Sequence, residues 1–147
     1  MKPENKNLLE KSVDALKKLG FKTENIMVTG SIALDILGVL PPIRTAHDID
    51  FIIKMDDQSW RCLKLLEAIN KCEVESKYPD DKNMVILNIK NLKINIWRHT
   101  SNFDWSTIKD TNTGVMVATV DHIVQAKKSY ARAKDYQDLI DICKNIL

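Results

Sequence analysis

Apolar side chains recur near helical spacing over residues 5–19, at Leu8, Leu9, Val13, Leu16 and Leu19, and Gly20 follows as a stop. Residues 25–29 read as a short strand that Gly30-Ser31 interrupts, and residues 32–37 as a helix with Ser31 at its N-cap. Gly38 and Pro41-Pro42 end that helix and open a loop through His47. Residues 48–54 predict a second strand, with Phe51, Ile52 and Ile53 as a buried run. Trp60, Leu63, Leu66 and Ile69 mark one face of a helix over 58–70. Strands are then expected over 73–78, 84–89 and 92–97, with turns at 80–83 and at Asn91. Residues 98–118 are mostly loop with a short strand near Val115-Met116-Val117. The chain closes with helices over 120–133 and 135–145, the latter with apolar positions at Tyr136, Leu139, Ile140 and Cys143. This order predicts an α+β fold, a mixed sheet of about five strands flanked by helices, with a C-terminal helical hairpin.

Bulk properties narrow the picture. The 147 residues suit one domain, with an N-terminal helix over 1–20 and C-terminal helices over 120–146. Hydrophobic residues make up 44% and charged residues 29%, so a core can form without a disulfide or structural-metal staple. Cys62, Cys72 and Cys143 are odd in number and lack C-x-x-C pairing, which argues against a disulfide framework and a zinc ribbon. They read as small buried or half-buried hydrophobes in a reducing compartment. The polar start is unlike a signal peptide and no apolar run is long enough for a bilayer, so a cytoplasmic location without a membrane partner is expected. A net charge of +2 does not by itself imply nucleic acid.

The chemistry concentrates in a strand, a Gly-Ser turn, a helix and an Asp-x-Asp strand. A helix start offers backbone N–H groups without intrahelical partners, and its dipole favours an anion. Gly30 permits close approach of a phosphate and the Ser31 hydroxyl can donate to it, although many Gly-Ser turns serve only sterics and capping. Asp48 and Asp50 stand one residue apart in a strand, so both carboxylates project from one face. Their mutual repulsion calls for a cation, and Mg²⁺ or Mn²⁺ takes such hard oxygen ligands together with phosphates. The apolar run 51–53 argues against a merely solvated strand start.

Thr29-Gly30-Ser31-Ile32-Ala33-Leu34 followed by Arg44-Thr45-Ala46-His47-Asp48-Ile49-Asp50-Phe51 resembles the polymerase-beta-like nucleotidyltransferase superfamily. The likeness is nearest to its small prokaryotic abortive-infection type branch, found in toxin–antitoxin systems. Lys127, Arg132, Lys134-Asp135 and Asp138-Leu139 are similar to a C-terminal signature of that branch. The resemblance implies transfer of a nucleoside monophosphate from a nucleoside triphosphate to a hydroxyl acceptor on RNA, protein or a small molecule. It implies a triphosphate held by Gly30 and Ser31, two metal ions held by Asp48 and Asp50, and Arg44 and Lys127 directed at phosphate charge.

One position departs from the pattern. The superfamily carries a third carboxylate on a neighbouring strand, and the matching residue here is Asn95. An amide carbonyl can ligate a metal, but it brings no charge and cannot act as a base. Glu73 or Glu75 is the alternative occupant, since no Asp or Glu lies between residues 82 and 103. A catalytically dead binding or interaction module, with a protein partner, is therefore the rival to an active transferase. His47, His99 and His122 are not spaced as a metal set and read as surface or loop residues. Trp97, His99, Phe103 and Trp105 could stack a base near the site, with packing the favoured reading. Lys127-Lys128, Arg132 and Lys134 form a basic helix face, solvated by default.

Overall fold

The computed structural model describes residues 1–39, 46–69, 84–101, 104–130 and 133–146. Helix α1 (Pro3–Lys18) leads through a 3₁₀ turn (Thr23–Asn25) into β1 (Ile26–Thr29), and α2 (Gly30–Ile36) follows without a loop. Strand β2 (Ile49–Ile53), α3 (Asp57–Ile69), β3 (Met84–Ile89) and β4 (Leu92–Arg98) come next. A two-residue β5 (Met116–Val117) precedes α4 (Val120–Tyr130) and α5 (Ala133–Ile146). The strands form one mixed five-stranded sheet in the order β3-β4-β2-β1-β5, so the expected α+β architecture with a C-terminal hairpin is what the chain adopts. The strand expected over 73–78 and the turn at 80–83 lie outside the described residues, as do Arg44, Cys72, Glu73, Glu75, Phe103 and Arg132. Among the described residues, no helix is long and apolar enough to cross a membrane.

Strand alternation sorts the side chains onto two unlike faces. Ile26, Val28, Ile49, Phe51, Ile53, Val85, Leu87, Ile94 and Ile96 share one face, each no more than 1% exposed. They join Leu9, Val13 and Leu16 of α1 and Ile32 and Leu34 of α2 in one core. The opposite face carries Thr29, Asp50, Ile52, Ile86, Asn95 and Trp97. Slipping a strand by one residue would drive its polar members into that apolar layer, so the burial pattern enforces the register. Lys90 and Asn91, both at positive φ (48° and 67°), make the tight β3–β4 turn expected at Asn91. Strand β3 is screened by α3: Glu67 Oε2 accepts the Ile86 N–H at 2.6 Å, and Lys64 Nζ donates to the Met84 carbonyl at 3.3 Å.

Several expectations change. Helix α2 begins at Gly30, so Thr29 and not Ser31 is its cap residue, and Thr29 makes no side-chain capping bond. Ile69 is exposed, because nine residues at 100° each carry it to the side of α3 opposite Trp60. Cys62 and Cys143 are exposed rather than buried. On α5 the aromatic Tyr136 faces outward, 70% exposed, while Asp135, Asp138 and Ile142 are buried.

Asn5, fully buried in α1, organises the approach to β2. Its Nδ2 donates to Asp35 Oδ2 at 2.9 Å and its Oδ1 accepts the Ala46 N–H at 3.0 Å. The Lys2 N–H also donates to Asp35 Oδ2, at 3.0 Å. One amide thus joins α1, α2 and the segment two residues before Asp48. Asn5→Ala takes one of two donors from the half-buried Asp35 oxygen and the acceptor from the Ala46 N–H, and is expected to cost about 2–4 kcal/mol in urea unfolding; a loss within about 0.5 kcal/mol, the size of an ordinary surface substitution, would show that water replaces the amide.

Candidate functional site

The site begins where β1 turns into α2. Gly30 sits at φ +65°, a conformation that side chains with a Cβ rarely adopt. It is also crowded: a Cβ built there would collide with Asp50 Oδ2. Glycine is therefore required at this turn for a reason the sequence does not display, the carboxylate packed beneath it. Ser31 follows in the first turn of α2, half-buried.

Sheet pairing then sets the acids. Thr29 is paired with Asp50 across the antiparallel β1–β2 ladder, Asp50 with Asn95 across the parallel β2–β4 ladder, and Asn95 with Ile86. Paired residues share a face, so Thr29, Asp50 and Asn95 form a row across the sheet, with Asp48 just before the strand. Asn95 is 2% exposed. Its Nδ2 donates to Asp48 Oδ2 at 3.0 Å and to Asp50 Oδ1 at 2.8 Å. One NH₂ group thereby bridges two carboxylates. Such bonds to charged acceptors are the stronger class, and they draw the acids together without supplying a charge. Asn95 Oδ1 is buried and has no hydrogen-bond partner.

This donor set can be tested against a divalent metal. Asp48 and Asp50 supply hard anionic oxygens, and the unpartnered carbonyl oxygen of Asn95 belongs to the same side chain that holds them. That fits one Mg²⁺ or Mn²⁺, which keeps waters and phosphate oxygens in its remaining positions. Among the described residues, His, Cys, Asp and Glu nowhere form a group of three suited to a metal.

Arg44 is outside the described residues. Lys127 is buried on α4, with Nζ 2.7 Å from Asp138 Oδ2 and 3.9 Å from Asp135 Oδ1 of α5. Lys127, Asp135 and Asp138 thus form an ion cluster inside the helical hairpin. The solvated default for the basic face does not hold at Lys127. At the far end of β2 and β4, the Lys54 ammonium lies 4.3 Å from the Trp105 ring centre, and the rings of Trp105 and His99 meet edge-on at 5.2 Å. His99 is four residues beyond Asn95, about 13 Å along the strand. His99 and Trp105 pack at the opposite strand end, whereas Trp97 shares the face of Asp50 and Asn95. Nearby on α4, burial lowers the His122 pKa below the ordinary histidine value, with a smaller contribution from the charge of His99. No protein-family model, curated protein or solved structure matches this chain.

Two outcomes follow. Removing the ammonium alone in Lys127→Met takes from the buried Asp138 carboxylate its cation at 2.7 Å and is expected to cost about 3–5 kcal/mol. The double change Lys127→Met with Asp138→Leu should recover part of that loss in a double-mutant cycle; additive losses would show the two do not interact. His122, its pKa depressed in the folded state, is protonated first in the unfolded chain. Its stabilising contribution is therefore present above about pH 6.5 and is lost as pH falls toward the lower folded value. His122→Gln should flatten the stability profile over that interval, and an unchanged slope would contradict the assignment.

Proposed function

We propose that the domain binds a nucleoside triphosphate together with one divalent cation, Mg²⁺ or Mn²⁺, at Asp48 and Asp50 beneath the Gly30-Ser31 turn, and that nucleotidyl transfer there is weak or lost. The observation that carries this is the contact between the Asp50 carboxylate and Gly30. A phosphate approaching that turn would meet an anion at close range. Negative phosphate and negative carboxylate share a site only when a cation stands between them. Gly30 offers the close approach, Ser31 a hydroxyl donor, and Arg44 of the same motif a guanidinium suited to phosphate oxygens. Bound there, the cation would offset phosphate charge during displacement.

Transfer requires more than binding. An acceptor oxygen would attack the α-phosphorus, the bond to the bridging oxygen would break, and pyrophosphate would leave. The acceptor's proton must also go to a base. Asn95 stands where the resemblance expects a third carboxylate, and an amide cannot take that proton. Its two hydrogen bonds to Asp48 and Asp50 also occupy carboxylate lone pairs. Binding is for that reason favoured over catalysis. The active-transferase reading keeps one specific support, the convergence of both acids on one face of the sheet. Under either reading the domain would work in the cytoplasm.

A thermal-shift titration separates binding from its absence. ATP with Mg²⁺ at a hundredfold excess over Kd should raise Tm by about 5–10 °C, and neither EDTA-treated samples nor Asp50→Asn should show the rise. An equal rise without metal, or in Asp50→Asn, would refute the site. With α-labelled nucleoside triphosphates and total RNA as acceptor, wild type should leave label at background. Robust transfer by wild type would establish the active enzyme instead.

A further inference from the structure

The Asn95 side chain carries more information than its place in the row. It is almost wholly buried, both amide hydrogens face carboxylates, and its carbonyl oxygen faces no partner. Charge dictates this orientation: the reverse one would aim the carbonyl at two anions. The unpartnered Oδ1 is the consequence, since a buried carbonyl without a donor keeps its full desolvation penalty. One end of the amide is fully used while the other is idle. The two ends have nearly the same size, so the side chain can exchange them by rotating about its last torsion without any backbone movement.

Building on the cation–nucleotide reading above, we propose that Asn95 is a cation-responsive clip: its amide nitrogen closes the Asp48–Asp50 pair when no cation is present, and its carbonyl oxygen turns inward as a ligand when a divalent cation enters with the triphosphate. In the closed state the positive ends of two N–H dipoles point where a cation would sit. A bare ion must break both bonds before it gains either carboxylate fully, so it binds weakly. An ion that arrives with phosphate oxygens gains further ligands and charge neutralisation, which drive the rotation. Metal and nucleotide therefore bind with positive cooperativity, each raising the affinity of the other by the same factor. A carboxylate at this position has no N–H to form the clip and would accept the bare ion directly. Asn95 acts as a positioning residue that makes the site respond to the metal–nucleotide complex and not to metal alone.

Two measurements test this. Free Mn²⁺ is followed by electron paramagnetic resonance in wild type and Asn95→Asp, with and without a non-hydrolysable ATP analogue. Bare Mn²⁺ should bind Asn95→Asp at least tenfold more tightly than wild type, and the analogue should tighten Mn²⁺ binding at least tenfold in wild type but much less in the variant. In wild type labelled with ¹⁵N-asparagine, the Asn95 side-chain protons should move upfield as they leave carboxylate acceptors on saturation with Mg²⁺ and the analogue. Resonances that stay in place at saturation overturn the clip whatever the variant does, as do equal Mn²⁺ affinities, while the binding site itself stands. If neither protein binds Mn²⁺ with or without the analogue, the site and the clip fall together.

Discussion

Two like charges held on one face of a sheet are the constraint around which this fold is arranged. Asp48 and Asp50 are drawn together by a single amide nitrogen from the adjacent strand, and the pairing of Asp50 with Asn95 places that nitrogen between them. The pairing in turn depends on the reverse face, where Phe51, Ile94 and Ile96 are sealed into the core. A one-residue slip would exchange these faces and bury the acids among hydrocarbon, so the hydrophobic layer fixes the electrostatic one. Gly30 completes the arrangement, because only a residue without a Cβ can lie over the Asp50 carboxylate.

The same rule governs charge elsewhere in the molecule. Lys127 is buried where Asp138 and Asp135 meet it across the helical hairpin. Asp35 accepts bonds from Asn5 and from the backbone of Lys2, which anchors the start of α1 against α2. Asn5 and Asn95 play parallel roles: each uses a neutral amide to hold an anion at a strategic place, one behind the loop that leads to Asp48, one at the acids themselves. Amides do this at lower desolvation cost than a lysine or arginine would.

Much of this was legible in the chain. The run Phe51-Ile52-Ile53, the stop at Gly20, the turn at Asn91 and the periodic terminal helices all predicted elements that the fold contains, because local pattern and tertiary burial agree there. The Asp-x-Asp spacing was legible as well, since strand alternation puts both acids on one face, while the Asn95 position was legible only through the resemblance. What escaped depends on contacts between distant residues. The cap of α2 lies at Thr29, and Gly30 stands at positive φ over Asp50, a contact between residues 20 positions apart. The inner face of α5 departs from its apolar pattern because an ion cluster, and not Tyr136, occupies it. Asn5 gave no signal, since its partner Ala46 is 41 positions away. Ile69 was lost to arithmetic: steps of three drift away from a 3.6-residue helix.

The central claim is that this acid row receives a divalent cation accompanied by a nucleoside triphosphate. The most direct measurement is anomalous scattering from crystals grown with Mn²⁺ and a non-hydrolysable ATP analogue. A single manganese peak within ligand distance of both Asp48 and Asp50, with phosphate density at the Gly30-Ser31 turn, is the result the account predicts. Nucleotide bound elsewhere, or no manganese between those two carboxylates, would contradict it.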